Sequence, residues 1–412
     1  MLIQALKEPI FKRDAFSSSL VSNPFSTFFG ISTSTVGSNV NERTALTLSA
    51  FYNGINIICN DYAKLPKGIF KKTSDGKGRE ALNSHPVKQI IDKKPNQYMV
   101  AYNFDTVMIK SAILKGNAYA IIERNNYTAQ PMALQFVNQD ETPVQVYKYN
   151  GKLWYKIKEV VYSSSDIIHV PGFSFNGITG IGVVKHAANS LGVTLASQTF
   201  AGEYYDGKGV GTGVLTTSKS MDDKAKTRYS EALSAMFARK AKWVVPVIDE
   251  ASKFEHISVT PQEAQFLLSS EQGINEVARW LNISAQKLKN NKDVNNSISE
   301  SLERQHVGDS IMPWAIKFQQ EYDAKLLTDK ELQDGIYTKF NLKSLLSADM
   351  VQQADYWSKL IYAGAITRNE VRAWLDINPL DGLDEPLTPV NTQLMEEIDL
   401  KLAQLKKELS NV

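Results

Sequence analysis

Residues Gly202–Val214 read GEYYDGKGVGTGV, and the spacing of Gly202, Gly207 and Lys208 is that of a loop built to cradle phosphate. Such a loop leaves a strand, ends in Gly-Lys-Ser/Thr so that a hydroxyl can hold Mg²⁺, and opens a helix. Here position 209 is glycine, so the hydroxyl is missing. The order of elements is also reversed. A helical pattern enters the segment and GVLTT leaves it as a strand, so no amides gather at a helix N-terminus, where the dipole would favour phosphate. Gly207, Gly209 and Gly211 then serve to end the helix and turn the chain. A nucleotide-binding enzyme using Gly202–Gly209 stands as the rival functional reading.

Other reactive side chains form no constellation. The five histidines, His85, His169, His186, His256 and His306, lack metal-ligand spacing to one another. No GxSxG elbow is present. His169, in DIIHVPG at a strand end, reads as a hydrogen-bonded structural histidine. The pairs Asp222-Asp223 and Glu396-Glu397 lie in mixed-charge helical patterns that suit solvated faces. Cys59, the single cysteine, sits in an apolar run with no local histidine to activate it, so it reads as a buried structural residue. A lone cysteine excludes a disulfide framework or a thiolate zinc site and suits a reducing compartment. The sequence therefore predicts no catalytic residues, no metal and no cofactor.

The elements that could position such groups are α+β. The 412 residues suffice for two or three domains, and a formal net charge of +2 advertises no basic field for nucleic acid. Lys7, Glu8, Lys12, Arg13 and Asp14 break up the N-terminus, which lacks the continuous apolar core of a secretory signal and, rich in Ser, Thr, Asn and Gly, reads as a flexible arm ending near Asn41. No run has the length of a membrane span. Leu46, Ala50, Ile55, Ile58 and Ala63 then recur at helical spacing up to Pro66. A short strand and an Asp75-Gly76 turn follow, then two helices, the strand AYAIIER, and alternating strands from Met132 to Val170. The second half is mostly helical. Its first long helix, Ile181–Asp206, has few charges and expects packed neighbours on more than one side. Two strands, a helix and another strand are expected within Val210–Val259. Helices over Gln262–Leu281 and Ser299–Leu327 flank the polar segment ISAQKLKNNKDVNN, and Pro313 predicts a kink in the second. A strand near Tyr337–Lys343 precedes the final helices, the last with a Leu394, Ile398, Leu402, Leu405, Leu409 stripe.

Several short motifs occur in a telling order: HPVKQIIDKKPNQYM, KGNAYAIIER (Lys115–Arg124), DIIHVPGFSFNGITGIGVVKHA (Asp166–Ala187), IMPWAIKFQQEYDAKLL, FNLKSLLSADM and GAITRNEVRAWLDINPLDGLD (Gly364–Asp384). Together, from about Leu46 to Asp384, they resemble the HK97-type portal proteins of tailed bacteriophages. The resemblance implies a non-enzymatic homo-oligomeric ring, usually of twelve subunits, at one capsid vertex of the virion. Double-stranded DNA would be packaged through its channel by the terminase large subunit and later ejected. Major capsid or scaffold protein and a head–tail adaptor would be further partners, assembly would occur in the host cytoplasm, and no membrane is involved.

The same resemblance implies a layout. Residues 1–41 would be the arm, 42–179 an α+β wing, 180–206 the first stem helix and 207–260 a small α/β clip. Residues 261–284 would be the second stem helix, 285–298 a tunnel loop, 299–346 a long kinked helix with the strand returning to the wing, and 347–412 the helical crown and C-terminal helix. Lys287, Lys289 and Lys292, diluted by Asn290, Asn291, Asn295 and Asn296, would offer loose, sequence-independent contacts to DNA in the channel. The other reading of that segment is an exposed interhelical loop without DNA contact. Where family members commonly carry a GVP-like turn, this chain reads LNISAQKL, with Ser284 at or near the proline position.

Overall fold

The structure, a computed structural model, describes residues 19–20, 40–73, 78–205, 213–217, 222–224, 227–228, 231, 252–256, 266–289, 296–345, 350–374 and 378–387. They belong to two compact units divided after Leu345.

Within the expected N-terminal arm, Ser19–Leu20 form a short strand, β1, while Val40 is already buried. Helix α1 (Glu42–Ala45) opens on a capping box: the Asn41 side chain accepts from the Thr44 amide and the Thr44 hydroxyl accepts from the Asn41 amide, both at 2.9 Å. Helix α2 (Ser49–Ala63) buries Phe51, Ile55, Ile58, Cys59 and Tyr62, the three- and four-residue spacing of a core-facing stripe. Strands β2 (Lys67–Lys72) and β3 (Arg79–Ala81) pair antiparallel; the Asp75-Gly76 turn expected near them lies outside the described residues. Helix α3 (Pro86–Asp92) is capped by His85, whose Nδ1 accepts from the Val87 amide at 3.3 Å, and starts on a proline where no N–H is needed. Helix α4 (Ala101–Leu114) then leads through Gly116, in the left-handed region at φ +85°, into β4 (Asn117–Arg124).

Five further strands precede the next α-helix in sequence: β5 (Pro131–Phe136), β6 (Val144–Tyr149), β7 (Lys152–Ile157), β8 (Val160–Ser163) and β9 (Ile167–Pro171). β4 is the middle of the sheet β5–β4–β9 and is buried along most of its length, which explains its continuous apolar run. β6, β7 and β8 form a meander, and β1 pairs with the open edge of β6, whose backbone groups would otherwise lack partners. The β6–β7 connection is Asn150-Gly151, both with positive φ, the two-residue turn whose twist matches flanking antiparallel strands.

The helix expected over Ile181–Asp206 comprises α5 (Val183–His186) and α6 (Ala188–Tyr205), meeting at Ala187; Asp206 lies outside the described residues. Of the expected clip, the antiparallel pair β10 (Gly213–Thr217) and β11 (Ser252–His256) is described; most of the intervening residues are not. Helix α7 (Phe266–Leu281) packs against α6 and is followed by the short α8 (Ala285–Lys289). The helix expected over Ser299–Leu327 has three parts: α9 (Asn296–Gln305), a π-turn at His306–Ile311, and α10 (Met312–Leu326). Thr328 and Glu331 form a capping box for α11 (Asp329–Gln333). Strand β12 (Ile336–Phe340) returns to pair antiparallel with β2, Ile336 opposite Lys71 and Phe340 opposite Lys67.

One continuous apolar core joins α2, α3, α4, β4, β9, α7, α10 and β12. A smaller cluster of Tyr119, Val137, Val146, Tyr155, Ile157 and Ile167 sits under the meander. The large core contains an ion pair between the Lys67 ammonium and the Asp105 carboxylate, both side chains only 2% exposed. Lys67 also donates to the Ile91 carbonyl at 3.3 Å and lies 5.7 Å from the ring centroids of Tyr62 and Phe340. Burial pushes the Asp105 carboxyl up to about 6, against the opposing pull of Lys67.

The second unit contains α12 (Met350–Tyr362) and α13 (Arg368–Trp374). The Asn369 side chain holds the chain after α13, donating to the Leu380 carbonyl at 2.9 Å and to Asp384 at 2.8 Å, and accepting from the Leu380 amide at 3.0 Å. The expected final leucine-rich helix lies outside the described residues.

Candidate functional site

Gly202 is part of helix α6, with open space around it, and the chain next described is strand β10. Helix enters and strand leaves, the reverse of a phosphate-cradling loop. Gly207, Lys208 and Gly209 lie outside the described residues.

The histidines whose side chains are described lie at separate places in the fold; that of His256 lies outside the description. His169, buried on β9, has its Nδ1 3.0 Å from the Tyr155 hydroxyl and its Nε2 3.0 Å from Asn117 Oδ1. Since that oxygen can only accept, Nε2 carries the proton and Nδ1 accepts from Tyr155. Burial, aided by the charge of Lys325, pulls the imidazole down to about 3, so it is neutral at ordinary pH. His85 caps α3 and places Nε2 3.0 Å from Glu331. His186 lies against Phe173 and Phe175. Burial pushes the Cys59 thiol up to about 12, which leaves no thiolate for chemistry. Asp222 and Asp223 are exposed, as expected, and the Glu396-Glu397 pair lies outside the described residues. Among the described residues no group of three His, Cys, Asp or Glu side chains could hold a metal. No described helix is long and apolar enough to cross a membrane.

Two of the sequence motifs meet at one point. Asn117, in KGNAYAIIER, accepts from the Gly180 amide at 2.8 Å and donates to the Gly180 carbonyl at 3.0 Å. It thereby fastens the segment FNGITGIG across the α4–β4 turn. The approach is possible only without side chains: a Cβ on Gly180 would lie 2.0 Å from the Gly116 carbonyl oxygen, and one on Gly182 2.0 Å from that of Leu114. Arg124, at the other end of β4, donates to the carbonyls of Ala129, Ser165 and Lys325 and to Asp166. The motifs thus specify how β4, β9 and the end of α10 lock together. None of them forms a substrate pocket.

The segment expected to meet DNA is bracketed by α8 and α9. Lys287 and Lys289 are part of α8, Asn296 opens α9, and Asn290, Asn291, Lys292 and Asn295 lie outside the described residues. Lys287 is only 20% exposed: its ammonium lies 2.8 Å and 3.1 Å from the two carboxylate oxygens of Glu303 and 3.5 Å from Asp61 on α2. Asp61 also faces Lys64 at 3.1 Å and His306 Nε2 at 3.1 Å. Its partial burial alone would raise the carboxyl, but the hydrogen bonds from His306 and Lys64 and the charges of Lys287 and Lys64 outweigh that and hold it at about 2. The sequence reading missed this cluster because Asp61 and His306 are 245 residues apart.

Pro313, expected to kink its helix, stands at the start of α10 just after the π-turn. It has no N–H to give the carbonyl four residues back, that of Asp309. The Asn282 side-chain amide donates to that oxygen instead, at 2.9 Å, and the Ser310 hydroxyl donates to the Asn282 carbonyl. Asn282 follows α7 with φ +55°, a left-handed helix end that asparagine tolerates. The disturbance caused by the proline is accommodated as a π-turn tied to the end of α7.

The sequence profile described as phage portal protein matches residues 49–376. The chain is 24% identical over 356 residues to the portal protein of Enterobacteria phage HK97, covering 84% of this chain and 82% of that protein. It is 23% identical over 370 residues to a probable portal protein of Streptomyces phage phiC31, covering 85% and 79%. In three dimensions it is similar to an HK97 family phage portal protein from Corynebacterium diphtheriae, with a TM-score of 0.59 at 13% identity over 76% of this chain and 99% of that one. A chain from the neck of a native gene transfer agent particle, computed with C12 symmetry, matches with a TM-score of 0.52 at 15% identity, covering 88% and 96%. With a family profile that takes in most of the first unit and continues into the second, the chain belongs to the phage portal protein family.

Proposed function

We propose that this chain closes with further copies of itself, twelve in number, into a ring at one vertex of a phage or phage-like particle, and that double-stranded DNA passes through the hole. A portal protein is a structural part and not an enzyme, in keeping with a family profile that runs over residues 49–376. That span is the observation that carries the reading. The α+β first half with its returning strand β12 would be the wing, α5–α6 and α7 the stem, the β10–β11 region the clip, and the second unit the crown. The clip would face the terminase large subunit during packaging and the head–tail adaptor afterwards, and the outer rim would meet capsid or scaffold protein. Assembly would take place in the host cytoplasm.

A channel must hold DNA loosely, because many tight phosphate contacts would stall its passage. Lys289 and Lys292, spaced by Asn290, Asn291, Asn295 and Asn296, supply such contacts in this reading. Lys287, engaged by two carboxylates, contributes little of its charge to them. Electron microscopy of the purified full-length chain should show rings with a central hole that admits a duplex, and a strictly monomeric protein, with or without capsid partners, would overturn the proposal. In the ring, changing Lys289 and Lys292 to Ala should leave assembly intact. It should also lower the salt dependence of DNA binding by about one unit of slope for each phosphate no longer neutralised.

A further inference from the structure

We propose that Asp61 is a positioning residue: one carboxylate on α2 fixes both elements that bracket residues 290–295, holding α8 through Lys287 and the π-turn through His306. This inference rests on the channel reading for its functional meaning, while the clasp itself rests on the geometry alone.

Besides the Asn282 hydrogen bonds that tie the π-turn to the end of α7, Asp61 links α8 and the π-turn to one another. α8 is five residues long, far below the length at which a helix is stable by itself. Its one buried apolar anchor is Leu288, which packs beside Leu281, Ile283 and Gly54. On the other side, a π-turn replaces regular helix geometry at His306–Ile311, a local irregularity of the kind that often marks functional sites. Between them stands a chain of charges that no single element supplies. Lys287 lies between Glu303 of α9 and Asp61 of α2, and His306, 1% exposed, approaches the same Asp61 at 3.1 Å. Lys64, 57% exposed, is the remaining cation on Asp61 and comes from the same helix. A salt bridge on an open surface contributes little. Here the histidine is buried and Lys287 is four-fifths covered, so loss of Asp61 would leave His306 Nε2 without its carboxylate and Lys287 held by Glu303 alone.

The geometry gives Lys287 an internal purpose. Lys289 and Lys292 lie one and two short steps further along the chain, yet Lys287 is withheld from anions by two carboxylates. It orients the start of the segment that, in the channel reading, carries Lys289 and Lys292. Asp61→Asn tests this, since it keeps the side-chain shape and one acceptor oxygen while removing the charge. The experiment uses full-length rings, first verified by electron microscopy, so that failure of ring assembly is seen separately from failure of the clasp. Lysine acylation mapped by mass spectrometry should show Lys287 protected in the wild type and labelled faster in the Asp61→Asn ring, where Glu303 alone still holds it. Amide exchange over 285–289 and 306–311 should quicken together. Lys287→Gln, which breaks one arm only, should loosen 285–289 and leave 306–311 slower to exchange than in Asp61→Asn. Combining Asp61→Asn with Lys287→Gln should add nothing over 285–289. If Lys287 is labelled equally in wild type and Asp61→Asn, or exchange changes in neither bracket, Asp61 positions nothing and the inference fails. In particles, rings carrying Asp61→Asn should assemble normally and retain less DNA, and unchanged DNA content and retention would likewise overturn the positioning role.

Discussion

Acid should act on this fold through His169. The imidazole is buried, its one proton is on Nε2 facing Asn117, and its folded-state pKa is held down to about 3 from an ordinary 6.5. A group whose folded pKa is depressed favours its deprotonated form in the native state. For a histidine that means full stability above about 6.5 and a progressive loss as pH falls toward 3, where the unfolded chain takes up a proton that the native chain refuses. At pH 4.5 the penalty from this one residue is about 3 kcal/mol, from 1.36 kcal/mol for each of the two units below 6.5. The comparison is between wild type and His169→Gln, which keeps a polar side chain near Asn117 but does not titrate. Equilibrium urea unfolding of both proteins at pH 7 and 4.5 gives the test. The variant should be less stable at pH 7, since the Tyr155 hydroxyl no longer has its imidazole acceptor. Its stability should nonetheless fall by about 3 kcal/mol less than that of wild type on going to pH 4.5. Equal falls in the two proteins would refute the reasoning, because all acid sensitivity would then come from carboxylates such as Asp61, which is common to both.

Other perturbations test other parts of the fold. Asp105→Ala strands the Lys67 ammonium in the core and should cost about 3–5 kcal/mol, while Lys67→Met combined with Asp105→Leu should recover most of it; thermal unfolding of the three proteins decides. Gly180→Ala forces a Cβ against the Gly116 carbonyl and should abolish soluble folded protein, whereas Gly202→Ala, in open space within α6, should raise stability by about 0.5–1 kcal/mol and leave ring formation untouched. Asn282→Ala leaves the Asp309 carbonyl without its donor and strains a left-handed backbone position, for a loss of about 1–3 kcal/mol, and Asn282→Gly should recover the backbone share. Urea midpoints of the two variants separate these contributions.

What could be read from the sequence was local. The periodic positions Ile55 and Ile58 do face the core in α2, and the apolar run AYAIIER is a covered central strand, because side-chain spacing and burial are linked through element geometry. Asn150-Gly151 was an available hairpin signal that the sequence reading did not use. Helix boundaries moved where backbone groups found unexpected partners: a π-turn at His306–Ile311 precedes Pro313, and Asn282, distant in sequence, donates to the Asp309 carbonyl that Pro313 cannot serve. The candidate site was least legible. Nothing near Lys287 announces Asp61 on α2 or the shared hold on His306, since ion pairs across long sequence distance leave no periodic trace. The motif order carried the family, but the reason for its glycines lies in the press of Gly180 and Gly182 against the α4–β4 turn, which no pattern of residues displays.

The pairing of β12 with β2 bears on how the protein is made. Lys67 leaves the ribosome early and its partner Phe340 late, so β2 waits through synthesis of all the intervening helices and ribbons for its second neighbour. During that interval one long edge of β2 is open to pairing with a nascent copy on a neighbouring ribosome. A subunit destined to meet many identical siblings can therefore finish its own sheet only when most of its sequence has been translated, and slowing translation between residues 72 and 336 should raise the yield of misjoined aggregates.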